Sequence, residues 1–258
     1  MNSIKISAVI ITLNEERNIR ECVDSLRDVV DEIIVVDSFS TDQTEEICKD
    51  KGVRFLQHEW EGYGKQKNWG NEQAAYDYIL SMDADERLSD RLKDAILEVK
   101  KNWQSDVYSF NRLTYFQDRK IKYISYPDRQ LRLFDRRKTR WNENRVHERL
   151  MINKTVAVKH IKQDIIHYSY RNIHDQIDRL NNYSTLSAYD SLDLNKKPSV
   201  FKLISSPLFS FIKSYIFKLG FLYGTSGLIV CINMSHYRFL KYAKHIELYK
   251  AKKSKTKN

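Results

Sequence analysis

Apolar residues follow two rhythms along this chain. Over residues 4–13 (IKISAVIITL) and 32–36 (EIIVV) they run almost without a break and are rich in β-branched side chains, the pattern of central parallel strands covered on both faces. Residues 53–57 (VRFLQ) and 78–82 (YILSM) read the same way. Between these runs the spacing turns helical. Ile19, Val23 and Leu26 recur on one side of residues 15–27, and residues 41–51, 65–76 and 89–102 also read as helices. Ser40 with Gln43 three places on fits a capping box opening the second of these helices, and Gly52 stops it. Four strand–helix alternations in the first hundred residues predict an α/β domain with a mostly parallel sheet.

The rhythm changes from residue 107. VYSFNRLTYF and QLRLF are strand-like on either side of Tyr126-Pro127-Asp128, and DIIHYSY (164–170) is a further strand. Residues 172–194 predict an amphipathic helix with Ile173, Ile177, Leu180, Tyr183 and Leu186 on one side. Lys196-Lys197-Pro198 is the one plausible boundary, dividing a domain over 1–195 from an extension over 196–258 whose last residues, KAKKSKTKN, are expected to fray.

Composition sharpens this picture. A chain of 258 residues suits one domain of ordinary size with an appendage. Cys22, Cys48 and Cys231 show no C-x-x-C spacing, which speaks against a disulfide scaffold or a cysteine-built zinc site and for a reducing compartment. The opening MNSIKISAVIITLNEE has no basic leader or small-residue cleavage site and flows into a core strand, so no signal peptide is read there. The net charge of +10 is unevenly spread: residues 196–258 hold 13 basic residues and one acid, Glu247, and the rest of the chain comes to −2. That last quarter is also rich in aromatic and aliphatic residues. Between Lys218 and Arg238 lie 19 residues without Asp, Glu, Lys or Arg, interrupted by Gly220, Gly224, Gly227, Asn233 and His236. Basic plus apolar content suggests a helical hairpin lying against an anionic membrane surface rather than a full span or a nucleic-acid tail. The other readings of the segment are a helical subdomain packed on the catalytic domain, a dimer interface, or the basic tail of a non-catalytic nucleic-acid-binding protein.

Ligands of open parallel sheets bind beyond the carboxyl ends of the strands. The polar residues there are Thr12, Asn14, Glu15 and Glu16 after the first strand, Asp37 and Ser38 after the second, and Asp83, Asp85 and Glu86 after the fourth. No G-x-G-x-x-G and no G-x-x-x-x-G-K-[ST] occurs, so a dinucleotide fold and a P-loop are both disfavoured. Asp83-Ala84-Asp85 offers another way to hold phosphates. Two carboxylates one residue apart past a buried strand can share Mg²⁺ or Mn²⁺ and bridge it to a diphosphate.

The stretches ITLNEERNI, EIIVVDSFSTDQT, GKQKNWG and YILSMDADE together resemble family 2 glycosyltransferases with the GT-A fold. RQLRLF, WNENRVHERL, IIHYSY and the C-terminal IKSYIFKLGFLYGTSGLIVCINMSHYRFLKYAK extend the resemblance to the subgroup that adds glucose or a related sugar to the inner core of lipopolysaccharide. The resemblance implies a Rossmann-like sheet flanked by helices with a C-terminal helical, membrane-associating extension. It also implies an inverting, metal-dependent transfer of a sugar, glucose from UDP-glucose, onto a lipid-anchored saccharide at the cytoplasmic face of a bacterial inner membrane. A polyprenyl phosphate or another surface glycan is the alternative acceptor.

Residue by residue, the resemblance assigns the nucleotide-sugar to Thr12, Asn14, Glu15, Asp37, Lys67, Asp83, Ala84 and Asp85. Lys67 stands where the family often has arginine, keeping the charge and losing the planar fork. For Asp37 a turn role beside Ser40 is the alternative. Asp83 and Asp85 are the implied metal pair, with Asp85 closer to the diphosphate, and His167 is either a third ligand or a buried strand histidine. The family commonly carries a Glu-Asp pair before the late histidine; here the chain reads Val146-His147-Glu148. Glu148 is the candidate base that takes the acceptor proton, with His147 as a possible shuttle and an ion pair to Arg145 or Arg149 as the structural alternative. In the basic cluster around Asp135, Arg129 and Arg132 are candidates to meet an acidic acceptor.

Overall fold

The computed structural model describes residues 3–116, 119–143, 148–170 and 172–255, without the side chains of 125, 169, 170 and 255. Its N-terminal part alternates as expected: β1 (Ile6–Thr12), α1 (Ile19–Leu26), β2 (Glu32–Asp37), α2 (Thr44–Asp50), β3 (Arg54–Gln57), α3 (Tyr63–Gln73), β4 (Tyr78–Asp83), a short β5 (Glu86–Leu88) and α4 (Asp90–Lys101). There follow β6 (Val107–Phe116), β7 (Arg119–Lys120), α5 (Lys122–Ser125), β8 (Asp128–Asp135), β9 (Val158–Tyr170), α6 (Ile173–Asp193), α7 (Val200–Ile212) and α8 (Gly224–Lys255).

The strands form one sheet in the order β3-β2-β1-β4-β8-β6-β9-β5, with β7 paired to β6. The half made of β3, β2, β1 and β4 is parallel, and β8, β6 and β5 join by antiparallel pairing, so the sheet is mixed. The unbroken apolar character of β1 has a simple cause. Ile6, Ala8 and Ile10 pack with α1, α2 and α4 on one face, while Val9 and Ile11 pack with the α3 side on the other. Gly70 of α3 lies against Val9 and Val36 so closely that a Cβ would come within 2.7 Å of the former, which lets the helix settle onto the sheet.

The chain divides into two compact units, Met1–Thr114 with Pro127–Tyr168, and Tyr115–Tyr126 with Ser169–Asn258. Helix α6, placed by sequence in the first domain, packs along α8, as does α7. In this second unit α7 continues through a π turn (Lys213–Phe217) and a 3₁₀ turn (Gly220–Tyr223) into α8. The glycines of the 219–237 stretch close that hairpin: a Cβ on Gly227 would sit 2.0 Å from the Gly220 carbonyl oxygen. Two expectations are corrected here. Residues 250–255, expected to fray, continue α8. The capping box is not formed: α2 begins at Thr44 with Gln43 before it, and the Ser40 hydroxyl oxygen accepts from the Asn14 amide instead.

Candidate functional site at the strand ends

The loops after β1 and β2 are laced together. Asn14, held at φ 55°, accepts from the Thr41 amide through its side chain, and its own amide donates to Ser40 Oγ. The Glu15 amide donates to Thr44 Oγ1, Glu16 accepts from the Gln43 amide, and the Glu16 amide donates to Asp42. Thr44 and the loop amides hold the Asp42 carboxyl below its usual range although burial pushes it upward. Asp37 is buried and accepts from both the hydroxyl and the amide of Ser40, the turn role that sequence left open. Thr12 ends β1 with a buried hydroxyl that has no hydrogen-bond partner among the described residues. Thr12, Asn14, Glu15 and Asp37 thus share one edge of the first unit.

The end of β4 carries a denser network. Asp83 receives Lys67 Nζ at 3.1 Å on one carboxylate oxygen and Arg132 Nη2 at 2.7 Å on the other. Arg132 Nη2 also donates to Glu86 Oε1 at 2.6 Å, and Lys67 donates to Glu148 Oε1 at 2.6 Å. Arg112 lies 3.6 Å from Glu86 and is itself bonded to Asp128. Lys67 is 1% exposed, Arg132 2% and Glu86 0%. Burial disfavours charge on Lys67 and Arg132, and the pairing outweighs it. Lys67 sits above the ordinary lysine value because Asp83 and Glu148 face it. Asp83 is held well below the usual carboxylate range by Arg132 and Lys67. Arg132 is raised by Asp83 and Glu86.

Local backbone explains how these groups meet. The register between β6 and β8 slips by one residue between Tyr108 and Ser109, so Leu133 and Leu131 have partners and Arg132 between them has none. Such a bulge re-aims the side chain of the extra residue, and here the arginine enters the carboxylate cluster. Gly64 allows the Asn142 backbone to approach α3: a Cβ there would lie 1.7 Å from the Asn142 carbonyl oxygen. Asn68 closes the same seam through two bonds to the Trp141 backbone, and Lys67 Nζ stands 4.8 Å from the Trp141 ring centroid.

Ala84 and Asp85 form the turn after β4, both buried. The short β5 that follows was not foreseen in the sequence. It pairs antiparallel with β9, setting Glu86 opposite His167, and the Tyr168 amide donates to the Asp85 carbonyl. The result is a carboxylate and an imidazole face to face, Asp85 Oδ2 and His167 Nε2 at 3.4 Å, with His167 Nδ1 3.4 Å from Thr114 Oγ1. Neighbouring ligands around one Mg²⁺ or Mn²⁺ stand about 3 Å apart when each is roughly 2.1 Å from the ion, so this oxygen–nitrogen pair fits a divalent cation. Among the described residues no three His, Cys, Asp or Glu side chains gather as a closed metal cage. An open pair leaves positions for diphosphate oxygens and water.

The sequence-predicted residues are therefore distributed as follows. Asp83, Asp85, Glu148, Lys67 and His167 come to the same strand end. Asp83 meets Lys67 with one oxygen and Arg132 with the other, while Asp85 faces His167. Glu148 pairs with Lys67; of its two alternative partners, Arg145 lies outside the described residues. Arg132, expected to greet an acceptor, is interior and bonded to Asp83 and Glu86; Arg129 is exposed on β8. His147 lies outside the described residues. Glu86, Arg112 and Asp128 complete the network and were not foreseen in these roles. The one signal available was a buried-strand pattern broken by charge in QLRLF and FNRL.

Residues 7–163 match the family described as glycosyl transferase family 2. The chain is 31% identical over 255 residues to an uncharacterized glycosyltransferase of Rickettsia typhi, covering 95% of this chain and 87% of that one. It is 32% identical over 253 residues to the lipopolysaccharide core biosynthesis glycosyltransferase LpsC of Rhizobium meliloti, covering 93% and 92%. Among solved structures, that of S. aureus TarS in complex with UDP aligns with a TM-score of 0.48 and 15% identity, over 94% of this chain and 89% of that one. A family match over most of the first unit, with relatives aligned over more than nine-tenths of this chain, identifies the chain as a glycosyltransferase of family 2.

Proposed function

We propose that this glycosyltransferase is an inverting, metal-dependent enzyme that moves a sugar, glucose from UDP-glucose, onto a lipid-anchored saccharide of the lipopolysaccharide inner core at the cytoplasmic face of the inner membrane. The observation that carries the reading is the strand-end constellation: the Asp85–His167 pair beside the buried Lys67–Asp83–Arg132–Glu86 network, with Glu148 on its rim. Similarity to LpsC over nearly the full length supports the acceptor class.

Thr12, with its unpartnered hydroxyl, and the laced Asn14, Glu15 and Asp37 loops form the edge that receives the nucleotide. Asp85 and His167 would hold Mg²⁺ or Mn²⁺, which supplies positive charge to the leaving diphosphate. Asp83 acts differently from its neighbour. Bound by two cations, it fixes the turn so that Asp85 faces His167. Glu148 takes the proton from the attacking acceptor hydroxyl. Its second carboxylate oxygen is the one that Lys67 leaves for this, and the Lys67 bond on Oε1 orients the group.

The test is calorimetric titration of the protein with UDP in the presence of Mn²⁺, repeated with EDTA and with Asp85→Ala. Metal-dependent UDP binding, lost in the folded variant, is expected. Equal binding with EDTA or in the variant would remove the metal role.

A further inference from the structure

In the second unit, α7 buries none of its residues. Val200, Phe201, Ile204, Leu208 and Phe209 are all exposed, Phe201 at 79%, and the π turn ends in Phe217 at 76%. The stretch Val200–Phe217 has a mean hydropathy of 1.3 and contains no acid. At about 100° per residue, Phe201, Ile204 and Leu208 share one sector of the helix, with exposed Phe209 beside it and Lys202 and Lys213 together about 100–120° round from Phe201. In the segment that the sequence singled out, Gly220, Gly227, Cys231 and Asn233 are buried while Phe221, Leu222 and Ile232 are exposed. With no residue buried, α7 carries the most exposed apolar face of the two arms.

Charge decides what covers this face. Residues 196–258 carry 13 basic side chains against one acid, so two copies meeting through α7 would oppose two strongly positive surfaces. An anionic lipid surface complements both the charge and the apolar sector. A spanning orientation would draw Lys213 below the headgroups, whereas an in-plane one keeps Lys202 and Lys213 level with the phosphates.

We propose that α7 is an in-plane anchor, lying in the surface of an anionic bilayer with Phe201, Ile204 and Leu208 below the phosphates. This rests on the lipid-anchored acceptor reading and gives the enzyme its place beside that acceptor.

The full chain is floated with vesicles of phosphatidylglycerol and phosphatidylethanolamine and, separately, with phosphatidylcholine alone. Binding to the anionic vesicles, weakened by salt, is expected. The triple change Phe201→Ser, Ile204→Ser, Leu208→Ser should weaken it at least about tenfold. Lys202→Ser with Lys213→Ser should weaken it by roughly thirtyfold, about fivefold per lysine. A polarity-sensitive label on Phe201→Cys should shift to the blue on anionic vesicles. Failure of the wild type to float, a wild-type dimer that the triple change converts to monomer, or resistance to alkaline carbonate extraction would each overturn the proposal. UDP titration of the same samples separates the two readings. Flotation without UDP binding supports the anchor while sinking the transferase assignment of the site, and UDP binding without flotation does the reverse.

Discussion

Replacing Arg132 by methionine removes the cation that joins Asp83 to Glu86 while keeping an unbranched apolar stem in the same space. Asp83 retains Lys67 at 3.1 Å and is partly open to water, so most of the cost falls on Glu86. Glu86 is fully buried and among the described residues keeps Arg112 at 3.6 Å and the Asp83 amide at 3.1 Å. Breaking a buried pair by deleting one partner costs about 3–5 kcal/mol. With Lys67 and Arg112 still nearby, the expected loss at pH 7 is about 3 kcal/mol. In urea unfolding with a slope of about 3 kcal/mol per molar, the midpoint falls by about 1 M, read by tryptophan fluorescence and circular dichroism. Arg132→Lys, which keeps the charge without the fork, should fall between. The pH dependence follows from Asp83. Its lowered value means that its contribution to stability is present above the unfolded carboxylate range and disappears as pH drops through the folded one, so the part of the shift that comes from Asp83 persists from pH 7 to pH 5 and is lost only below about pH 4. No midpoint shift at pH 7 would refute the reasoning.

Glu148→Gln should lower sugar transfer by about 10²–10⁴-fold with UDP affinity little changed, measured as steady-state transfer beside calorimetry; normal transfer would discard Glu148 as the base. Gly64→Ala forces the Asn142 carbonyl away from α3 and should destabilise the protein by about 1–3 kcal/mol in the same unfolding assay. Native protein should be inert to a thiol reagent at pH 8 and should react at three cysteines once unfolded. Burial pushes Cys22 well up, Cys48 up to about 12 and Cys231 up, with Glu86, Asp85 and Asp83 adding to the effect at Cys22.

Local pattern was enough to read the parallel half of the sheet. A strand covered on both faces must be apolar at every position, as β1 and β2 are, and the helices between carry their spacing within a single turn or two. The strand-end rule then placed Thr12, Asn14, Asp37, Asp83 and Asp85 on one edge, since parallel strands bring their carboxyl ends together. Partners separated by many residues were beyond such reading. Lys67 meets Glu148 across 81 positions, and Arg132 reaches Asp83 across 49 because a one-residue register slip in β8 turns its side chain inward. His167 comes to Asp85 only because a three-residue strand pairs with β9. The capping box failed for a related reason: the Ser40 hydroxyl oxygen accepts from the Asn14 amide, 26 positions away, rather than from an amide of α2. In the last quarter, charge and apolar content were legible in the residues themselves. Which arm of the hairpin carries the most exposed apolar face depends on how closely backbones approach at Gly220 and Gly227, and that is settled by packing.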